Sequence, residues 1–133
     1  MGQPICPTQG IAFAFPDICQ TPSPGGPVPI PYPNIAQLSA ASDVADDLLL
    51  GPSSLKAVLA DSTISTSSGD EGGTAGGGVS SGTIMGECKV TSGSSTVLYG
   101  GKGVARFGDP TSQNKENAVG QLLGAFPTVL VGG

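Results

Sequence analysis

The chain has 133 residues, among them 22 glycines and 12 prolines, about a quarter of the total, a composition that excludes long regular helices and points to strands and turns. Charged residues are 11 % and the formal net charge is -5, so there is no basic surface to neutralise a phosphate backbone and nucleic-acid binding is excluded. The absence of histidine removes the Ser/His and Cys/His nucleophile pairs and the HExxH metal helix, while a hydrophobic fraction of 38 % is too high for a charge-driven disordered chain.

No basic n-region followed by an apolar h-region opens the sequence, and no apolar run reaches 18 residues, so synthesis in the cytoplasm without a signal peptide is expected. Ile11-Ala12-Phe13-Ala14-Phe15 predicts a strand closed by Pro16 and Asp17. Residues 21–34, TPSPGGPVPIPYPN, hold six prolines in fourteen positions; they cannot donate ladder hydrogen bonds there and must run extended, as polyproline II or a sheet edge. Val28, Ile30 and Tyr32 alternate with prolines and share one side of an extended chain. The segment reads as a strap with those three side chains turned inward over a core, or else as a stiff linker.

Residues 35–50 place Ile35, Leu38, Ala41, Ala45, Leu48 and Leu49 near a 3.6 period, with Asn34 as N-cap, and predict a helix; Asp46 to Leu50 reads equally as a strand entering a turn at Gly51-Pro52. Leu50 and Leu98, Ala57 and Ala105, Leu59 and Phe107, Asp61 and Asp109, and Thr63 and Thr111 share one offset, a faint repeat of two hairpins that each end in a turn. The second hairpin is the clearer, Thr96-Val97-Leu98-Tyr99 and Val104-Ala105-Arg106-Phe107 flanking Gly100-Gly101-Lys102-Gly103. Residues 67–86 are too glycine-rich for a packed layer and read as a surface loop in which residues 81–84 return to strand. In the tail, Val119, Leu122 and Leu123 have helical spacing, and Thr128-Val129-Leu130-Val131 reads as a strand in need of a partner.

Candidate chemistry is sparse. The loop Gly72-Gly73-Thr74-Ala75-Gly76-Gly77-Gly78 lacks the lysine and spacing of a phosphate cradle. Asp70 and Glu71 are adjacent and point to opposite sides of an extended chain, a poor start for an acid–base pair. Cys6, Cys19 and Cys88 have no CxxC spacing; they read as free thiols, or as soft-metal ligands lacking a fourth partner. Pro110 disfavours the α region for Asp109, whose carboxylate is expected to accept amides of Thr111 or Ser112, with an Arg106 ion pair as the competing role.

Two stretches resemble signature blocks of the PAAR-like family known by the domain name DUF4150: TPSPGGPVPIPYPNIA (21–36), preceded by Phe15-Pro16-Asp17-Ile18-Cys19, and SSGDEGGTAGGGVSSGTIMG (67–86). A third, GGKGVARFGDPTSQN (100–114), is similar to the closing block of that family. The matched blocks span roughly residues 13–114 and leave a short tail, 115–133, without room for a fused toxin, so residues 1–133 are expected to form a single PAAR-like domain.

The resemblance implies a mainly β, small cone-like fold of short hairpins with glycine- and proline-rich loops and one or two short helices. It implies a structural spike-tip protein of a contractile injection system, such as a type VI secretion system, that caps a trimeric VgrG-like spike, sharpens it for membrane puncture and helps carry effectors. The partners implied are that spike, a separate effector chain and, transiently, a target membrane; the chain would stay in the cytoplasm until loaded, then be delivered outside the cell or into a target cell. No enzymatic activity is implied. Better-known PAAR tips hold zinc on histidine and cysteine, and relatives often show Thr-His-Asn where this chain has Ser112-Gln113-Asn114, so no cofactor is expected here. The residues singled out are structural: Asp61, Gly69, Asp70, Gly108 and Asp109 in turns, and Val28, Ile30, Tyr32 and Asn34 in the strap or in partner contacts. The alternatives are a small secreted effector or adaptor using the fold as a delivery tag, and a free-standing module whose proline strap recognises a partner groove.

Overall fold

The computed structural model describes residues 3–132. They form β1 (Gln3–Ile5), β2 (Ile11–Thr21), β3 (Val28–Gln37), a 3-10 turn (Leu38–Ala40), β4 (Ala45–Leu50), β5 (Leu55–Ala57), β6 (Thr63–Ile64), β7 (Gly77–Gly78), β8 (Cys88–Val90), β9 (Leu98–Tyr99), β10 (Lys102–Gly103), β11 (Pro110–Gln113), β12 (Ala118–Leu122) and β13 (Phe126–Val131). The fold is mainly β, as the composition predicts. Seven strands make one antiparallel sheet, in the order β3-β2-β12-β11-β8-β6 with β7 beside β2; three two-stranded ribbons, β1-β13, β4-β5 and β9-β10, complete the molecule.

The ladder between β2 and β3 explains much of the rest. It runs regularly from Ile11↔Gln37 to Ala14↔Asn34, skips Phe15 and Pro16, which are joined by a cis peptide bond, and resumes at Asp17↔Tyr32. β2 therefore spends three residues where β3 spends two. One extra residue reverses which side chains face inward: Ala12 and Ala14 are buried before the bulge, Asp17 and Cys19 after it. The expectation that Pro16 and Asp17 end the strand fails because the bulge absorbs the proline, and the same bulge carries a carboxylate into the interior.

The prolines of β3 have a second role. Ile35 turns its N–H and carbonyl away from β2, onto the Ser68 carbonyl and N–H at 2.7 and 2.8 Å. By alternation, positions 29, 31 and 33 also turn away from β2, and all three are prolines. That edge presents no N–H and cannot template a further strand. Val28, Ile30 and Tyr32 lie opposite Thr21, Cys19 and Asp17, but the inward strap is corrected: the described residues leave the outer end open, and Val28 and Ile30 are 41 % and 38 % exposed. Tyr32 is half-buried, its hydroxyl 2.6 Å from Thr21 Oγ1.

The helix expected over 35–50 does not form. Ile35 and Ala36 stay in the β2 ladder, a 3-10 turn follows, and the strand alternative holds, with β4 entering a turn at Gly51. Tertiary pairing overrides a periodicity whose apolar positions are shared among three elements. In the tail, helical spacing gives way to β12, where Ala118, Gly120 and Leu122 are buried and Val119 is exposed.

Residues 67–86 are an irregular loop exposed over much of its length, as expected, but it is packed onto the sheet at selected positions. Ser67, Asp70, Gly73, Gly77 and Gly78 are buried, and β7 pairs with Cys19 and Gln20. Glycine is dense here because of contact: a Cβ on Gly69, at φ 111°, would run into the Pro33 carbonyl oxygen. Residues 81–84 are turn, not strand.

Two apolar clusters share the chain. Cys6, Ala12, Ala36, Leu38, Val58, Ile64, Cys88, Val90, Ala105 and Leu122 fill one, against the large sheet; Ile5, Ala45, Leu50, Ala57, Leu59, Val104 and Val131 fill the other, among the ribbons.

Candidate functional site

Three short segments, residues 4–8, 56–60 and 103–107, meet between the two apolar clusters. Cys6 N–H donates to the Ala105 carbonyl, Ala105 N–H to Val58 and Val58 N–H to Cys6, at 3.1, 2.9 and 2.9 Å. Two residues further along each segment, Thr8 N–H bonds the Lys56 carbonyl, Ala60 that of Gly103 and Phe107 that of Pro4, at 2.8, 2.7 and 2.8 Å. The bridges Ile5↔Arg106, Pro7↔Ala57 and Leu59↔Val104 complete the cycle. A single chain thus closes a ring whose main-chain pattern has threefold symmetry.

Each segment is carried by one ribbon, and the symmetry extends into it. Two residues before the ring position, Pro4 lies opposite Leu130, Lys56 opposite Leu49 and Gly103 opposite Leu98. These leucines are 62, 52 and 58 % exposed. Their successors Val131, Leu50 and Tyr99 turn into the cluster among the ribbons. The three stretches read VLVG (129–132), LLLG (48–51) and VLYG (97–100).

The sequence repeat is therefore threefold, and its spacing is not constant. Leu49 matches Leu98, but Val58 matches Ala105, because residues 51–54 close the β4-β5 turn where Gly100 and Gly101 alone close β9-β10. Both of those glycines have positive φ, the two-residue turn geometry that residues with a Cβ resist. Only Leu98–Tyr99 of the expected first strand pairs, and its partner is Lys102–Gly103, two residues assigned to the turn in sequence; Val104 and Arg106, expected in the second strand, make the ring bridges instead. Beyond the ring, Ser62 Oγ accepts Leu59 N–H at 3.0 Å, and Asp109 Oδ2 accepts Arg106 N–H at 2.8 Å. The residues at positive φ in these matching turns are Asp61 (70°) and Gly108 (87°). Asp109 thus turns back to Arg106, not forward to Thr111 or Ser112, and also takes the guanidinium at 3.1 and 3.2 Å. The Asp61 carboxylate lies 3.8 Å from Lys89 Nζ.

The second constellation lies further along β2, beyond the bulge. Asp17, Cys19, Asn34, Asp70, Gln113 and Asn114 are all at 0 % exposure. Asp17 accepts N–H from three carboxamides: Asn34 at 3.2 Å, Asn114 at 3.2 Å, and Asn117. Asp70 accepts Met85 N–H at 2.9 Å and Asn34 Nδ2 at 3.3 Å. Gln113 donates to the Asn34 Oδ1 and carbonyl oxygens and to the Ala12 carbonyl, and takes the Thr111 hydroxyl. Burial, with Asp17 beside it, pushes Asp70 up to about 7, and burial pushes the Cys19 thiol up to about 12.

Among the described residues, Asp17, Cys19 and Asp70 are the three whose ligand-type atoms lie within 4.8 Å of one another. They do not fit a zinc ion. The far end of each carboxamide is fixed: Asn114 Oδ1 accepts Gly86 N–H, Asn117 Oδ1 accepts the Ser80 and Ser81 N–H groups, and Asn34 Oδ1 accepts Gln113 Nε2. The three Nδ2 groups must then face the carboxylates, and a cation would meet N–H donors. Cys6 and Cys88 are buried free thiols.

Of the residues singled out in sequence, Asn34 and Asp70 meet in this cluster; Gly69 positions the loop above it; Asp61, Gly108 and Asp109 belong to the ring turns; Val28 and Ile30 stand outside both. The ring itself and the inward roles of Asn114 and Asn117 were missed. The thrice-repeated apolar-Leu-apolar-Gly pattern was the available signal for the ring.

A small β protein built around a threefold junction within one chain is the class these features define. The family model for the toxin PAAR-like domain matches residues 10–120, and the chain belongs to that family. Its members serve structural or toxin-delivery roles. No curated protein and no solved structure gave a match.

Proposed function

We propose that this protein caps the spike of a contractile injection system of the type VI secretion kind, its ring centred on the axis of a trimeric VgrG-like spike protein. The cyclic hydrogen bonding of Cys6, Val58 and Ala105 carries this reading. A single chain on the end of a trimer must offer an equivalent surface to each of three protomers, and internal threefold repetition supplies it. Leu49, Leu98 and Leu130 are the matching anchors, each met by the same site on one protomer. The protein would act by shape, without catalysis, and travel from the cytoplasm with the apparatus.

Mixing the chain with its cognate spike protein should give one chain per trimer by native mass spectrometry. Leu49→Asp/Leu98→Asp/Leu130→Asp should abolish that complex while leaving the melt of the free chain nearly unchanged, since all three leucines are exposed. Absence of a complex, or any ratio other than one to three, would overturn the reading. An adaptor role draws support from a separate observation: Ile18, Val28, Ile30 and Val79 are 39, 41, 38 and 57 % exposed, away from the ring. It requires Val28→Ser/Ile30→Ser to reduce carriage of an effector chain while sparing the one-to-three complex.

A further inference from the structure

We infer that Asp17 and Asp70 hold one proton between them inside a cage of carboxamides, and that this proton, in place of a metal ion, latches the 67–86 loop onto the sheet.

The geometry is asymmetric in a way that assigns the charge. Asp17 takes three carboxamide donors and the Cys19 thiol at 3.6 Å, a set that satisfies a full carboxylate. Asp70 takes one main-chain N–H and a shared Asn34 N–H, and one of its oxygens lies within 4.8 Å of a carboxylate oxygen of Asp17. Two buried carboxyl groups this close disfavour double ionisation unless a cation lies between them, and the three ion pairs among the described residues, Lys56–Asp46, Lys89–Asp61 and Arg106–Asp109, all lie elsewhere. The proton is therefore assigned to Asp70, the carboxyl with fewer donors, on the side that faces Asp17. The titratable groups facing this pair are the Cys19 thiol on β2, the Tyr32 hydroxyl on β3 and, in the loop itself, Glu71, whose Oε1 is taken by Gly69 N–H at 2.6 Å. Asn114 and Asn117, from the β11-β12 turn, are neutral.

Backbone strain gathers at the same place. Asn114, Lys115 and Glu116 are consecutive non-glycine residues at φ 48°, 54° and 71°, and Met85, the donor to Asp70, is at 54°. Such conformations are costly for residues with a Cβ and persist where the surroundings enforce them. This left-handed turn is what brings Asn114 and Asn117 onto one carboxylate, and the bulge in β2 is what presents that carboxylate.

Closing the latch takes up a proton that Asp70 lacks when free at neutral pH. The closed form is favoured fully below the ordinary aspartate range, and its advantage is lost as pH rises to about 7. Hydrogen exchange at Met85 N–H, corrected for intrinsic rate, should lose protection by about tenfold per pH unit between roughly pH 4 and 7 and then level off. Asp70→Asn keeps an acceptor for Met85 and supplies a permanent N–H to Asp17, so its protection should be flat across that range. In the wild type, infrared spectra should show a buried protonated-carboxyl stretch at pH 6 that fades above pH 8. A flat wild-type exchange profile, an Asp70→Asn profile with the wild-type slope, or no protonated-carboxyl band at pH 6 would each overturn the latch. So would stoichiometric zinc whose removal by chelator unfastens Met85. The infrared reading needs no variant and holds even if Asp70→Asn fails to fold.

Discussion

The ring and the carboxamide cage solve opposite problems. At the ring, equivalent positions carry Cys6, Val58 and Ala105, three different side chains on one hydrogen-bonding pattern, because the main chain makes the bonds and the side chains only fill space. In the cage the bonds belong to side chains, each carboxamide oxygen is held by a donor, an N–H for Asn34, Asn114 and Asn117 and the Thr111 hydroxyl for Gln113, and no two positions are equivalent. Symmetry is available where the backbone does the joining; specificity of residue type is imposed where side chains do. The ring should therefore tolerate apolar exchange at a cost set by volume, and the cage should tolerate almost none.

Asn34→Ala tests that contrast most severely. It removes the donor shared by Asp17, Ser67 and Asp70 and the acceptor of Gln113, and should cost about 3–4 kcal/mol in denaturant unfolding. Next comes Ile5→Ala among the ribbons, where the loss is of packing alone, about 2–4 kcal/mol and proportional to the cavity left; Ile5→Val should recover most of it, whereas no conservative exchange should rescue Asn34. In the ring turn, Asp109→Ala removes a main-chain acceptor and strands a mostly buried guanidinium, and should cost about 2 kcal/mol, against about 1 for Arg106→Ala, which leaves Arg106 N–H a partner. Equal losses would show that the ion pair alone matters. At the small end, metal analysis should find less than one zinc per chain, and a chelator should not move the melting temperature.

Several cage residues drew attention in sequence although the cage itself was not foreseen, and the ring drew almost none, for a physical reason. The proline-rich block, the Gly-Asp-Glu stretch and Gln113 stand out in sequence because cage positions require particular side chains; what sequence could not show was that a bulge turns Asp17 inward or that a left-handed turn gathers Asn114 and Asn117. The ring places almost no demand on side-chain identity, so its repeat was faint, and turns of unequal length spread its spacing over two values. The helix expected over 35–50 failed for a related reason: Asn34, the supposed cap, was already committed to long-range side-chain bonds.

One ribbon differs from its two counterparts in connectivity. β4-β5 and β9-β10 are hairpins formed by neighbours in the chain, whereas β1-β13 joins Gln3 to Val131. Two corners of the ring can form from local contacts, while the third spans almost the entire described chain and carries the largest loop-closure cost. On the proposed trimeric spike, the last corner would work as a completeness check. A nascent chain that has not reached Phe126 presents two corners of three, and a trimeric surface requiring all three would leave it unloaded.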